Sequence, residues 1–190
     1  MANLIPAQQT AQQALTVARH LAAAGDAHQY LTFLLTGEMY AVGILNVKEI
    51  IEYGQLTEIP MMPAFIRGVI NLRGSVVPVV DLSARFGHTQ SEVGKRTCIV
   101  IVEVRQDDGR HDLGIMVDAV SEVLEIPGSD IEPPPSFGAK IRADFIAGMG
   151  KVAGKFVILL DIQRVLSVDE MAALGTAGGQ ATSESTSVAH

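Results

Sequence analysis

The sequence predicts an all-β fold in which two small β-barrels arise from an internal duplication. Residues 65–82 and 145–162 are two versions of one hairpin pattern, in which two apolar strands flank a turn. A repeat of this kind indicates one supersecondary unit that is used twice. Hydrophobic residues make up 48% of the 190 residues, so many strands must be covered on both faces, as they are in small closed barrels.

The two hairpin copies agree at the positions that a hairpin needs. Six pairs of residues are identical at an offset of 80, the difference between 145 and 65: Phe65/Phe145, Ile66/Ile146, Gly68/Gly148, Gly74/Gly154, Val77/Val157 and Asp81/Asp161. Gly74 and Gly154 fall between the paired strands, where the turn requires a positive φ. They are therefore interpreted as structural.

Residues 1–27 precede the repeat and predict a short helix. Ala11, Leu15, Ala18 and Ala22 lie at helical spacing ahead of Gly25, a residue that commonly ends a helix. Because the apolar stripe is mostly alanine, this extension either docks on the body of the protein or frays.

The first unit, residues 28–96, opens with a predicted hairpin. Its strands cover residues 30–35 and 39–45 around the turn Thr36-Gly37-Glu38. A further apolar segment follows at 47–51, and then the hairpin of residues 65–82. Residues 86–96 are polar and contain glycine, which is typical of a linker.

The second unit, residues 97–172, follows the same plan. Strands at 97–104 and 113–117 flank a turn with the hairpin signal Asp-Gly. Residues 120–124 match 47–51, and after Pro133, the counterpart of Pro60, this copy carries seven extra residues. Residues 173–190 are rich in Gly, Ser, Thr and Ala without apolar periodicity, which predicts a disordered tail.

Composition and charge disfavour several classes of function. Fourteen Lys and Arg against 21 Asp and Glu give a net charge of −7, which disfavours nucleic acid or an anionic membrane as the main ligand. No apolar run approaches the length of a bilayer span, and no charged-then-apolar leader is visible. With one cysteine, we expect a cytoplasmic, reduced protein that does not insert into the membrane.

The other chemically notable residues favour structural roles. Asp81 and Asp161 each follow a strand and precede a short helical pattern, so we predict that they cap helices; a general-base role is the alternative. Cys98, in an apolar strand, is interpreted as a small buried hydrophobic residue. The five histidines show no ligand spacing, so neither a metal nor a cofactor is expected.

The hairpin tip is where the two copies differ most informatively. Asn71-Leu72-Arg73-Gly74 in the first copy corresponds to Lys151-Val152-Ala153-Gly154 in the second. Since the turn accepts Ala, its backbone does not require Arg73. Arginine on a rigid turn is suited to anchor a protein contact, although a solvated turn arginine remains the alternative.

Glu49 also leaves two interpretations open. It matches Glu122 of the second copy, which favours a shared structural ion pair or hydrogen bond. An exposed carboxylate is equally suited to contact a partner.

These motifs resemble the signature of the CheW-like family of bacterial chemotaxis coupling proteins. The resemblance rests on residues 65–68, 71–74 and 77–82, and on 114–118 and 148–151 in the second half; it covers about residues 28–170. It implies two intertwined five-stranded SH3-like barrels with short helices. It also implies an adaptor without catalytic activity that binds the regulatory domain of the histidine kinase CheA and the cytoplasmic tip of chemoreceptors, at receptor arrays.

The resemblance also implies a set of partner-binding residues. The turn arginine of the family corresponds to Arg73, and its strand-end glutamate, the expected ion-pair partner, to Glu49. The surrounding face comprises Val47, Gly68, Asn71, Leu72 and Gly74. The receptor groove is expected along the seam of the two barrels.

Two kinds of alternative function remain compatible with the sequence. Within the same class, the protein could serve a non-flagellar array, such as one for pilus-driven motility. In a different class, a small β-barrel enzyme or metabolite binder could use Asp81, Glu49 and Cys98, but both acids recur in the second copy and no nucleophile–base arrangement is visible.

Overall fold

Strands dominate the residues that the computed structural model describes, which are 6–23, 28–135 and 142–167. The elements in chain order are α1 (Pro6–Ala23), β1 (Gln29–Leu35), β2 (Glu38–Gly43), β3 (Val47–Glu52), β4 (Ile66–Leu72), β5 (Ser75–Asp81), α2 (Leu82–Arg85), β6 (Cys98–Gln106), β7 (Gly109–Val117), β8 (Ala119–Glu125), β9 (Ile131–Glu132), β10 (Ile146–Val152), β11 (Lys155–Leu160) and α3 (Ile162–Val165). The tail predicted at residues 173–190 lies outside the described residues.

Tight turns produce three of the hairpins. β1–β2, β4–β5 and β10–β11 are each joined by two residues with positive φ, and these are Thr36-Gly37, Arg73-Gly74 and Ala153-Gly154. Two successive positive φ angles define the type I′ turn, whose twist matches that of the paired strands. The predicted repeat of the β4–β5 hairpin is therefore present in the backbone as well as in the sequence.

The two repeats exchange hairpins. One sheet has the order β8-β1-β2-β11-β10-β9 and the other has the order β3-β6-β7-β5-β4. The β1–β2 hairpin of the first repeat thus lies between strands of the second, while β6–β7 of the second lies between β3 and β5 of the first. The predicted intertwined all-β fold is confirmed, and each sheet is a mixture of the two sequence repeats.

The strands are covered on both faces, as the hydrophobic content predicts. In β6, Val100 and Val102 belong to the largest core cluster, between the sheets, whereas Ile99 and Ile101 belong to a second cluster. That second cluster consists of residues of the five-stranded sheet and the loop after β3, so this sheet has a core of its own on its second face. Within the described residues neither sheet closes into a barrel, because the first and last strands of each sheet are not paired with each other. The short β9 gives one sheet six strands instead of the expected five.

The N-terminal helix docks on the body of the protein. Ala11 and Leu15 of α1 are buried in the largest core cluster, and α1 contacts β8 and β3. Of the two outcomes that the alanine-rich stripe left open, docking is the one observed.

Candidate docking surface

The β4–β5 hairpin presents a rigid tip. Its turn residues Arg73 and Gly74 have φ angles of 52° and 85°, and the Gly74 N–H donates a 2.9 Å hydrogen bond to the Asn71 Oδ1. In the second copy Ala153 has nearly the same φ, 48°. Because alanine adopts this conformation, the turn itself gives no reason for an arginine at position 73.

Arg73 forms a bidentate ion pair with Glu49. The Arg73 Nη1 and Nη2 donate to the two carboxylate oxygens at 2.7 and 3.0 Å. The Glu49 side chain is only 17% exposed, whereas that of Arg73 is 76% exposed. These hydrogen bonds raise the pKa of Arg73. The carboxylate therefore holds the guanidinium in one orientation, with its outer N–H groups facing solvent.

Neighbouring residues extend this surface. Asn71 and Gly74 are exposed, Leu72 is half-buried against the core of the five-stranded sheet, and Val76 is largely exposed. We call Glu49, Asn71, Leu72, Arg73, Gly74 and Val76 the tip surface. It combines one oriented cation with a small apolar margin, a composition that suits a protein contact.

Two residues expected on this face, Val47 and Gly68, are buried in the structure. The Val47 side chain is fully buried in the largest core cluster, so it does not form part of the exposed face. Gly68 is buried too, and a Cβ built there would lie 2.5 Å from the Thr57 carbonyl oxygen. The close approach that requires glycine at position 68 is therefore made by the chain itself, where Thr57 pairs with Val69.

Asp81 and Asp161 both lie at helix N-caps, but in different surroundings. Asp161 accepts hydrogen bonds from the amides of Gln163 and Arg164. Asp81 is fully buried and accepts from the amides of Ser83 and Ala84 and from both the amide and the hydroxyl of Ser91. With its oxygens engaged in this way, Asp81 is poorly placed to take a proton from a substrate.

The remaining chemically notable residues form no site in the described part of the chain. Burial raises the pKa of the Cys98 thiol, which disfavours the reactive thiolate. Among the described residues no three His, Cys, Asp or Glu side chains are grouped as metal ligands. None of the described helices is long and apolar enough to cross a bilayer.

The sequence-based set omitted the tip of the second hairpin. Phe156, which occupies the place of Val76, is half exposed, and the Lys151 Nζ lies 5.9 Å from the centre of its ring. Lys151 also pairs with Glu132 at 3.0 Å. Aligning the two copies pairs Phe156 with Val76, and this pairing was the available signal for a second exposed tip. The two tips thus share a backbone and differ in side chains.

Comparisons with known proteins agree on one family. A family model described as the CheW-like domain matches residues 29–170. The chemotaxis protein CheW of Klebsiella aerogenes is 37% identical over 144 residues, which cover 76% of this chain and 84% of that protein. The Rhizobium meliloti CheW is 33% identical, with coverages of 80% and 95%.

A solved structure and a further relative complete the comparison. The scaffolding protein TtCheW of Thermoanaerobacter tengcongensis superposes with a TM-score of 0.67 at 36% identity, covering 74% of this chain and 88% of that one. FrzA of Myxococcus xanthus is 32% identical, with coverages of 64% and 74%.

Proposed function

The chain belongs to the CheW-like domain family, and from that premise we propose that it couples chemoreceptors to the histidine kinase CheA. A role as a chemotaxis scaffold follows from its relatives; the partners are our proposal. They are the regulatory domain of CheA and the cytoplasmic tip of the receptors, and the complex would assemble at receptor arrays in the cytoplasm.

One observation carries this proposal on the protein's own structure. The Arg73 guanidinium is oriented by Glu49 on a turn whose backbone does not need an arginine. A preoriented side chain loses less conformational entropy when it binds, and arginine is enriched among the residues that dominate protein interfaces. The tip surface is accordingly proposed as a docking surface for one of the two partners.

The proposed mechanism is geometric. A coupling protein must hold its partners in a fixed relation, and the exchanged hairpins give each sheet strands of both repeats. Arg85 of the first repeat adds a further link, because it donates to the Val165 carbonyl and lies 5.4 and 4.8 Å from the rings of Phe65 and Phe145. We infer that these shared contacts would carry a displacement of one sheet to the other.

Charge reversal at the tip tests the docking surface. We predict that Arg73→Glu weakens binding to the CheA regulatory domain or to a receptor cytoplasmic fragment by about 30-fold, since removal of an interface anchor costs about 2 kcal/mol or more. Isothermal titration against each partner measures the change. Arg164→Glu is the control, because Arg164 is also an exposed, ion-paired arginine, with Asp161 as its partner.

The double variant Arg73→Glu/Glu49→Arg distinguishes direct recognition of Arg73 by a partner from a purely structural role of the ion pair. It restores an internal ion pair but places the guanidinium on β3, away from the turn. Binding that stays weak supports direct recognition of Arg73. Full recovery would show that the pair only stabilises the tip, and unchanged affinity of Arg73→Glu for both partners would remove the tip from the docking surface.

Reconstitution tests the function itself. The protein, CheA and receptor-containing membranes are combined, and kinase autophosphorylation is measured with and without the protein. If the protein bound neither partner, the coupling role would be abandoned. The similarity to FrzA favours a second candidate, an adaptor of a non-flagellar array, which would be indicated by capture of the receptors of such a pathway instead.

A further inference from the structure

Helix α1 lies where the edges of the two sheets meet. β3 is the last strand of one sheet and β8 the last strand of the other, and α1 contacts both. The two strands are equivalents in the duplication, since 47–51 matches 120–124. The helix thus covers the seam between the sheets.

Among the side chains of α1 that the structure describes, two hydrophobic ones pack into the core. Ala11 and Leu15 are its buried hydrophobic residues in the part with described side chains. Gln12 supplies one directional contact, because its Oε1 accepts a 3.0 Å hydrogen bond from the Ile50 amide of β3. The Gln8 side chain supplies another by hydrogen-bonding the Cys98 thiol. An edge strand presents unpaired backbone groups to any partner, and here a side chain of the helix occupies one of them.

The fit of α1 to the seam is incomplete. Gln8 is 4% exposed, yet within the described chain its Oε1 has no hydrogen-bond partner, which is an unfavourable way to bury a polar atom. An open cleft of about 500 Å³ remains beside the helix, lined by Thr10, Gln13, Ala14, Val17, Gln29, Val123 and Glu125. Val17 is 60% exposed at this cleft, so its side chain buries little surface.

We propose that α1 is a replaceable occupant of the seam, which an amphipathic helix of a partner displaces when it carries a larger aliphatic residue in the place of Ala14. The seam accepts a helix, as α1 itself demonstrates. A helix that fills the cleft would bury more apolar surface than α1 does and would therefore bind the seam more tightly. The identification of the displacing helix as part of a receptor rests on the proposed function; the displacement does not. While α1 is docked, the apparent affinity for the partner is lowered by the fraction of chains with an open seam.

A peptide tests displacement without any natural partner. The probe is a fluorescent peptide of residues 6–23 that carries Ala14→Leu, titrated by anisotropy against full-length chains. Leu15→Asp places a carboxylate in the buried contact of α1 and should free the seam, so it should bind the peptide about tenfold more tightly than wild type does. Thr16→Asp introduces the same charge at the adjacent exposed position and should behave as wild type.

A second variant acts in the opposite direction and does not depend on a destabilised chain. Ala14→Leu in the full-length protein fills the cleft from within, so it should bind the peptide several-fold more weakly than wild type. Hydrogen exchange provides the structural readout: the Ile50 amide should lose protection in Leu15→Asp while the amides of β6 and β7 remain protected. Equal peptide affinity for all four chains, or no binding to Leu15→Asp, would overturn the proposal.

A separate binding experiment tests whether the receptor is the displacing partner. A receptor cytoplasmic fragment should bind Leu15→Asp more tightly and Ala14→Leu more weakly than wild type. If the fragment bound all variants equally, the receptor would not be the displacing partner. If it bound none of them, the proposed coupling role would fail while the peptide titration would still decide whether α1 can be displaced.

Discussion

Duplication gives this protein pairs of residues with one backbone role and different surroundings, and Asp81 and Asp161 are such a pair. Both accept hydrogen bonds from the first amides of a short helix. Asp81 is fully buried and also binds Ser91 twice, whereas Asp161 is partly exposed. The cost of losing the carboxylate should therefore differ between them, although the capping geometry is the same.

We predict that Asp161→Ala lowers the free energy of unfolding by about 1 kcal/mol, the usual cost of a lost N-cap. Asp81→Ala should cost about 3 kcal/mol, because it leaves buried donors without partners. Urea unfolding followed by circular dichroism compares the two. Equal losses would mean that the Ser91 hydrogen bonds contribute nothing to stability.

The raised pKa of Tyr40 predicts how the stability of the protein depends on pH. Burial, with the Glu38 carboxylate as a second cause, raises the pKa of Tyr40 to about 12, whereas an unfolded tyrosine titrates near pH 10. Between these two pH values the unfolded chain has lost the tyrosine proton, whereas the native state retains it. The contribution of Tyr40 to the free energy of unfolding is therefore fully present below about pH 10 and is lost as the pH rises toward 12.

Tyr40→Phe should therefore lose less stability than wild type between pH 9 and pH 11. At pH 8 it should be less stable by about 1 kcal/mol, because a hydrogen bond is removed. Burial raises the pKa of Tyr30 as well, so part of the alkaline decline should persist. Urea midpoints at each pH provide the measurement; an identical decline in both proteins would exclude Tyr40 as its source.

At the scale of one element, the β4–β5 and β10–β11 hairpins show what a repeated pattern can reveal. Six identical residue pairs predicted both hairpins and their turns, since local turn chemistry is encoded by adjacent residues. Local rules do not predict the pairing of Arg73 with Glu49, because Glu49 lies on β3, outside the hairpin. That pair was expected from family resemblance, while the residues alone left a structural role for Glu49 open.

Ala153 offers a test of the turn itself. It adopts a φ of 48°, a left-handed conformation that asparagine tolerates better than alanine does. Ala153→Asn creates an Asn-Gly type I′ turn and should stabilise the protein by about 0.5–1 kcal/mol, which raises Tm by about 2 °C. Differential scanning calorimetry measures the shift.

The matched change at the first tip is Arg73→Asn. It introduces the same turn dipeptide but removes the ion pair with Glu49, so its effect on Tm should be smaller. Under the proposed function, only Arg73→Asn should weaken partner binding. If Ala153→Asn lowered Tm, strain at this turn would not be what limits the stability of the hairpin.

At the scale of the whole molecule, the sequence indicated the repeats but not their pairing. Apolar alternation and turn signals specify β1–β2 and β6–β7 as hairpins. They do not specify that β2 pairs with β11 and β5 with β7, which are parallel pairings between the two repeats. The two repeats provide similar strands, so exchanged and unexchanged arrangements satisfy the same pattern. Resemblance to a family supplied the intertwining that local rules could not.

This exchange predicts that neither sequence repeat folds alone. A fragment of residues 28–96 contains β1–β2 without the flanking β8 and β11, and it contains β3 and β5 without the β6–β7 hairpin that lies between them. A fragment of residues 97–172 lacks β1–β2 in turn. Each fragment leaves strands with unpaired backbone groups and apolar surface exposed on both faces, which ordered structure in water does not tolerate.

We therefore expect each fragment to give a poorly dispersed amide NMR spectrum, and an equimolar mixture to recover native-like dispersion as the hairpins find their strands. Val100→Asp in the second fragment is the control, because Val100 is fully buried in the largest core cluster and a charge there should prevent complementation. Cooperative unfolding of residues 28–96 alone would contradict the prediction. It would mean that hairpin exchange joins two units that are already stable, in which case the coupling between the sheets depends on their shared core alone.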